Sequence, residues 1–215
     1  MTQSVIPIPE PPEPFVQELS SLLLPVEGAT SFRPGSKPAA VALVLYRRGS
    51  RWHVPFVARR ADLPSHPGQV GLPGGGVRDG ESAWAAAARE TEEEIGVPAG
   101  ELVPVGAGPP LYAAVSNYCV APFVAWLPSR RVRFVHQASE LDAVLEVPLS
   151  LLLDPGAWRE TPEAWPGRHL PVDGAVIWGL TARILSDLLP PIAQAARAVS
   201  ESGAGGARGP GSPPA

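Results

Sequence analysis

Among its 215 residues the chain has a single cysteine, Cys119. That excludes an intramolecular disulfide and any cysteine-based zinc cluster. Its 17 basic residues are nearly all arginine and form no long run, and the formal charge is −4. No broad surface for a polyanion is expected, so nucleic acid is not the expected partner. There is no apolar run of about 20 residues and no charged-then-apolar leader, so no membrane span is expected and the cytoplasm is the expected location. No internal repeat appears at solenoid periods.

What is present is a hydrophobic content of 45%, ample for one core and marginal for two, so a single catalytic domain with appendages is expected. The ends differ from the middle. "IPIPEPPEPF" and "FRPGSKP" at the start and "SGAGGARGPGSPPA" at the finish are rich in residues that cannot pack a core. Residues 1–37 and 199–215 are expected to be largely disordered around a domain at 38–198. The exception is 15–24, where Phe15, Leu19, Leu22 and Leu23 recur at helical spacing and predict a short helix covering the core.

Within the domain, "AAVALVLYR" (39–47) and "WHVPFVAR" (52–59) read as central strands joined in a hairpin by "RGSR". A loop with two prolines and a glycine follows at 61–68, then a short stretch from Gln69 to Leu72, then Pro73 and three glycines as a break. A helix begins at Glu81 or Ser82, carries Trp84, Ala87, Ala88, Thr91 and Ile95 on one apolar stripe, and stops at Gly96. Further strands are expected at 101–108 and 117–127. Residues 141–153 begin extended and turn helical after Pro148, and a last helix from about Leu180 to Leu189 is interrupted by Pro190 and Pro191. Strands in pairs with helices between the groups favour an α/β or α+β sandwich over a doubly wound parallel sheet.

The chemistry is concentrated in the 81–96 helix. Glu90, Glu93 and Glu94 stand at i, i+3 and i+4, so their Cβ atoms lie about 5 to 6 Å apart on one face, while Glu92 points elsewhere. Glu93 can reach Arg89, but Glu90 and Glu94 have no basic residue at i±3 or i±4 and oppose each other. Such pairs cost a few tenths of a kcal/mol each, and negative charge near a helix C-terminus costs about 0.3 to 1 kcal/mol more. A divalent cation reverses that balance, because hard Mg²⁺ takes carboxylate oxygens. On charge spacing alone two readings stand, a metal site and an acidic surface. The neighbouring glycines favour the first, since backbone there can approach a ligand closely.

Written out, the segment is Gly75, five residues, Glu81, seven residues, then Arg89-Glu90-Thr91-Glu92-Glu93-Glu94-Ile95-Gly96-Val97. It resembles the Nudix box, and all seven fixed glycine, glutamate and arginine positions are filled. Thr91 departs from the larger aliphatic residue usual there. The segment "ARRADLPSHPGQVGLPGG" (58–75) resembles the stretch that precedes the box in the coenzyme A diphosphatase branch, with Arg59, Leu63, His66, Gly68, Gln69, Pro73, Gly74 and Gly75 in place. Leu72 replaces the usual phenylalanine, and Pro64 stands where a basic residue is common. Residues 146–155 and 177–185 are similar to the same branch.

The resemblance implies an α/β/α sandwich with a mixed sheet between helices, and Mg²⁺- or Mn²⁺-dependent hydrolysis of coenzyme A or acyl-CoA to phosphopantetheine and adenosine 3′,5′-bisphosphate. It makes Glu90 and Glu94 direct metal ligands. Glu93 completes the cluster or activates water, with Glu140 and Glu146 as other candidates for the base. Gly75 offers its backbone, and Glu81 and Arg89 pair across two helical turns. Arg59, Arg60, His66, Gln69, Gly74 and Gly75 are the expected substrate-binding residues. The alternatives are another substrate such as ADP-ribose, a dinucleotide or a nucleoside triphosphate, and a nucleotide sensor without catalysis. The expected partner is thus a small nucleotide, and the reading is compatible with a homodimer.

Overall fold

The computed structural model describes residues 13–27, 32–62, 68–129, 132–161 and 165–205. In chain order it has α1 (Pro14–Leu22), β1 (Lys37–Arg48), β2 (Arg51–Arg59), β3 (Val70–Gly71), β4 (Gly74–Gly76), α2 (Ala83–Ile95), β5 (Val103–Ala107), β6 (Leu111–Ala113) and β7 (Tyr118–Leu127). These are followed by β8 (Leu141–Pro148), α3 (Leu149–Leu152), β9 (Arg159–Thr161), β10 (Trp165–Val172), β11 (Ala175–Ile177) and α4 (Gly179–Gly205). The two expected central strands, their hairpin, the strands at 101–108 and 117–127 and the switch to helix after Pro148 are all present.

β1 organises the molecule. It runs parallel to β7 and antiparallel to β2 and β4, in an eight-stranded mixed sheet among the described residues. Its apolar run is continuous because both faces are covered. Ala39, Leu43 and Leu45 join Phe15, Val16 and Leu19 of α1 and Leu185, Leu188 and Ile192 of α4 in one core. Ala40, Ala42, Val44 and Tyr46, alternating with them, join Ala83, Ala86, Ala87 and Ile95 of α2 in another. One strand with a period of two thus separates two cores, and the sheet lies between α2 and the pair α1 and α4. This is the expected α/β/α sandwich.

At its N-terminal end β1 changes neighbour. β4 takes the place beside Ala39, Ala40 and Val41, while β3 pairs with Val57 and Ala58 of β2. This wedge brings the glycine segment against the sheet beside the end of α2.

At the termini one expectation is met and one is corrected. Among the described residues before β1, the expected helix is present as α1, which buries Phe15, Val16 and Leu19, and Leu24 bridges Ala107. The last helix does not stop at Leu189, because α4 continues through Pro190 and Pro191 to Gly205, beyond residue 199. Each interior proline costs about 3 kcal/mol. The apolar stripe nevertheless runs on through Leu188, Leu189, Ile192 and Ala195, all buried, and a fully buried Leu or Ile contributes about 1.5 to 3 kcal/mol. The buried stripe thus continues on both sides of the prolines.

β9 to β11 form a separate three-stranded antiparallel sheet that was not expected. Pro162, Pro166, Gly167 and Pro171 punctuate this stretch and hide its alternation.

Candidate active site

The helix that carries the glutamates is held at both ends. Ser82 caps α2 by accepting from the Ala85 N–H at 3.1 Å. Gly96 closes it in the left-handed region at φ 72°. The last carbonyls are used by the segment leading to β8, where Val135 N–H donates to Ile95 at 3.0 Å and Gln137 N–H to Glu94 at 3.2 Å. On the buried side Thr91 is fully enclosed and its hydroxyl donates to the Ala87 carbonyl at 2.7 Å. The departure at Thr91 therefore keeps its place in the core. Trp84 packs edge-on against Phe123, as a core aromatic.

Glutamates and glycines are in direct contact. The Gly74 N–H donates to Glu94 Oε2 at 3.0 Å. Gly74 lies at φ 156°, and a Cβ there would stand 2.3 Å from the Ala40 carbonyl oxygen. Gly75 is opposite Ala40 in the sheet, and a Cβ on it would stand 2.5 Å from the Glu90 carboxyl carbon. At both positions the close approach requires the absence of a side chain.

Glu94 is buried, with 7% of its surface exposed. Burial pushes its carboxyl up to about 7, and the negative charges of Glu90 and Glu140 push the same way. The Gly74 N–H and the Arg59 guanidinium act against them. Glu94 is thus an anion site short of positive charge.

Arg89 supplies that charge to the other carboxylates. It donates to Glu81 at 2.8 and 3.0 Å, to Glu90 at 2.5 Å, to Glu93 at 3.4 Å and to the Gly76 carbonyl at 3.0 Å. The expected Glu81–Arg89 pair is present. Arg89 holds the Glu81 carboxyl down at about 2, and Glu81 and Glu90 raise the Arg89 guanidinium in turn. Glu90 does have a basic partner, its immediate neighbour in sequence, which the i±3 and i±4 offsets do not count. Glu93 is exposed and also accepts from Arg78 at 3.3 Å, a contact without any helical spacing to reveal it. Glu92 points away and accepts from the Ala99 N–H.

Glu81, Glu90 and Glu93 thus share Arg89, while Glu94 is held by the Gly74 N–H. Among the described residues no three acidic, histidine or cysteine side chains converge into one metal-holding group. The donor set nevertheless fits a hard divalent cation: two carboxylates, Glu90 and Glu94, and glycine backbone packed against both.

The residues ahead of the box divide. Arg59 ends β2, its N–H donates to the Gln69 carbonyl at 3.0 Å, and its buried Nε makes no hydrogen bond. Arg60 is engaged, donating to both Asp62 oxygens and to the Ala138 carbonyl. It fastens its loop to the chain before β8 and does not stand free. His66, with Leu63 and Pro64, lies outside the described residues. Of the two further base candidates, Glu140 acts electrostatically on Glu94. Glu146 is five residues along β8 from Leu141, about 17 Å away, and is held by Tyr46 and Arg48. No described helix is long and apolar enough to cross a membrane.

Residues 36–162 match the NUDIX domain family. NudL of Escherichia coli strain K12, an uncharacterized Nudix hydrolase, is 32% identical over 161 residues, covering 71% of this chain and 81% of NudL. The Escherichia fergusonii protein of that name is 31% identical with the same coverage. Among solved structures the fold is similar to RenU, a Nudix hydrolase from M. smegmatis (TM-score 0.47, 18% identity, 82% of this chain and 91% of RenU). It is also similar to the MutT protein from Methanosarcina mazei Go1 (TM-score 0.47, 20% identity, 76% of this chain and 94% of that one). With a family match over more than half its length and relatives above 30% identity, this chain belongs to the Nudix hydrolase family.

Proposed function

We propose that the chain hydrolyses the diphosphate of coenzyme A or acyl-CoA to phosphopantetheine and adenosine 3′,5′-bisphosphate. The observation that carries the catalytic part is the packing of the Gly74–Gly75 backbone on the Glu94 and Glu90 carboxylates. Those two side chains and the Gly75 backbone would hold Mg²⁺ or Mn²⁺. When bound, such ions neutralise the diphosphate and lower the pKa of the attacking water.

The chain's own residues do the rest. Arg89, tied to Glu81, orients Glu90. Glu93, exposed between Arg78 and Arg89, is the first choice for accepting the water's proton. Arg59, whose guanidinium acts electrostatically on Glu94, would offer its terminal nitrogens to a phosphate oxygen, and Gln69 is placed next to it. His66 belongs to the same proposal on sequence grounds. Arg60 acts indirectly by fixing the loop. The choice of coenzyme A rests on the resemblance of residues 58–75 to that branch. A cytoplasmic location and a homodimer belong to the same reading.

Incubation with coenzyme A and Mg²⁺, with both products identified by mass, tests it. Release of the two named products is expected. Equal or better turnover of ADP-ribose, dinucleotides or nucleoside triphosphates would overturn the substrate choice. Tight nucleotide binding with no product from any of them would favour the sensor.

A further inference from the structure

On the side of the sheet away from the glutamates, α3, the turn after it, β10 and α4 line a groove of about 180 Å³. Leu152 and Leu189, both buried, give it an apolar floor, and Pro155, Pro190 and Ala193 extend the lining. Leu152 and Leu189 belong to the core shared with α1 and α4, whereas α2 belongs to the other. The groove is therefore a second site and not an extension of the first. An apolar cavity of about 150 Å³ takes benzene, so this one has room for about six carbon atoms.

One cation joins this apolar lining. Arg168 of β10 shares the strand face of Leu170, which is buried in the same core two residues on. Its guanidinium carbon lies 4.5 Å from the centre of the Trp158 ring. Stacking of this kind uses the face of the guanidinium and leaves its edge, a planar fork of N–H donors, for a carboxylate. The platform is fixed in place. Trp158 is buried and its indole N–H donates to the Leu152 carbonyl at 3.0 Å. Asp154 uses its carboxylate within the turn between them, accepting from the Gly156 N–H at 2.8 Å. Glu160 is opposite Arg168 in the register of β9 and β10, yet among the described residues Arg168 makes no ion pair. Ser186 adds an acceptor to the lining, since Pro190 has no N–H to give to its carbonyl.

We infer that this groove binds a small aliphatic carboxylate, with the carboxylate on the edge of Arg168 and the chain on Leu152, Leu189 and Ala193. An apolar floor beside a guanidinium without an ion pair selects a ligand that is apolar at one end and negative at the other. Free phosphate has nothing to lay on the floor, and a neutral amide of the same length leaves the charge of Arg168 unanswered. Binding here is independent of the proposed hydrolysis.

Titration of the nitrogen-labelled full chain with hexanoate, followed by NMR at the Trp158 indole N–H, reads the site without any turnover. Hexanoate is expected to shift that resonance saturably, and hexanamide and acetate to bind at least about tenfold more weakly. Arg168→Gln, at an exposed position, is expected to weaken hexanoate at least about tenfold and to erase its advantage over hexanamide. Ala193→Leu fills the groove from α4 and is expected to block hexanoate, with a thermal melt to show that the chain folds. No saturable shift up to about 10 mM, equal binding of hexanamide, or a preference that survives Arg168→Gln overturns the inference.

Discussion

The Glu90 carboxylate lies so close over Gly75 that a Cβ on the glycine would fall 2.5 Å from its carboxyl carbon, while a Cβ on the preceding glycine would meet backbone, 2.3 Å from the Ala40 oxygen. The two glycines therefore fail in different ways when replaced. In Gly75→Ala the flexible end of Glu90 can swing aside, so thermal stability is expected to stay near the unaltered value. Turnover is expected to fall by about 100-fold, the scale of a displaced reacting group. In Gly74→Ala the clash is with backbone and φ is 156°, so the fold itself is expected to lose a few kcal/mol. Thermal melts beside diphosphate hydrolysis separate the two outcomes. An active Gly75→Ala enzyme would remove Glu90 from the site.

Glu94 ties stability to pH with an unusual sign. Its carboxyl titrates at about 7 in the fold against an ordinary 4.5, so the folded chain holds the proton more tightly than the unfolded one. That contribution is complete below 4.5, declines as pH rises and is gone above 7, amounting to at most about 3 kcal/mol. In chelator, urea melts between pH 5 and 7 are expected to show stability falling with rising pH, and Glu94→Gln to flatten the slope. Mg²⁺ competes with the same proton, so its binding midpoint is expected to rise as pH falls. A slope unchanged by the substitution contradicts the assignment.

Much of this was legible in the sequence, for physical reasons that can be named. β1 could be read because a strand covered on both faces is apolar throughout, and α2 because its cap, stripe and stop residue agree. The Glu81–Arg89 pair followed from the resemblance of residues 75–97 to the Nudix box. The Arg89–Glu90 contact did not, because neighbours on a helix diverge and this one is made only by a long guanidinium curling round. Arg78 reaching Glu93, and the chain around Gln137 closing the end of α2, are tertiary contacts with no spacing rule. Residues 159–177 stayed hidden because their prolines break the alternation that marks a strand.

Glu81 gives the opposite pH dependence. Held at about 2 in the fold, it contributes stability that is present above its ordinary 4.5 and lost as pH falls toward 2. Glu81→Gln is expected to weaken the acid limb of a stability–pH curve while leaving the Glu94 slope between pH 5 and 7 intact. It also removes the double hydrogen bond that orients Arg89, so turnover is expected to fall about tenfold by misplacing Glu90. A change confined to acid stability, with turnover untouched, would show that the pair is structural only.

The path of α4 through two prolines makes a prediction about stability alone. Pro190 and Pro191 leave the carbonyls of Ser186 and Asp187 without their i+4 donors, yet Ile192 and Ala195 beyond them are fully buried. If burial holds the helix together against that cost, the two kinds of residue must respond with opposite signs. Ile192→Ala is expected to destabilise by about 2 to 4 kcal/mol through the cavity it leaves. Pro190→Ala is expected to stabilise by about 1 to 2 kcal/mol, the restored hydrogen bond exceeding the freedom returned to the unfolded chain. Denaturant melts of both variants decide it. A neutral Ile192→Ala would mean that the helix ends where the first proline stands.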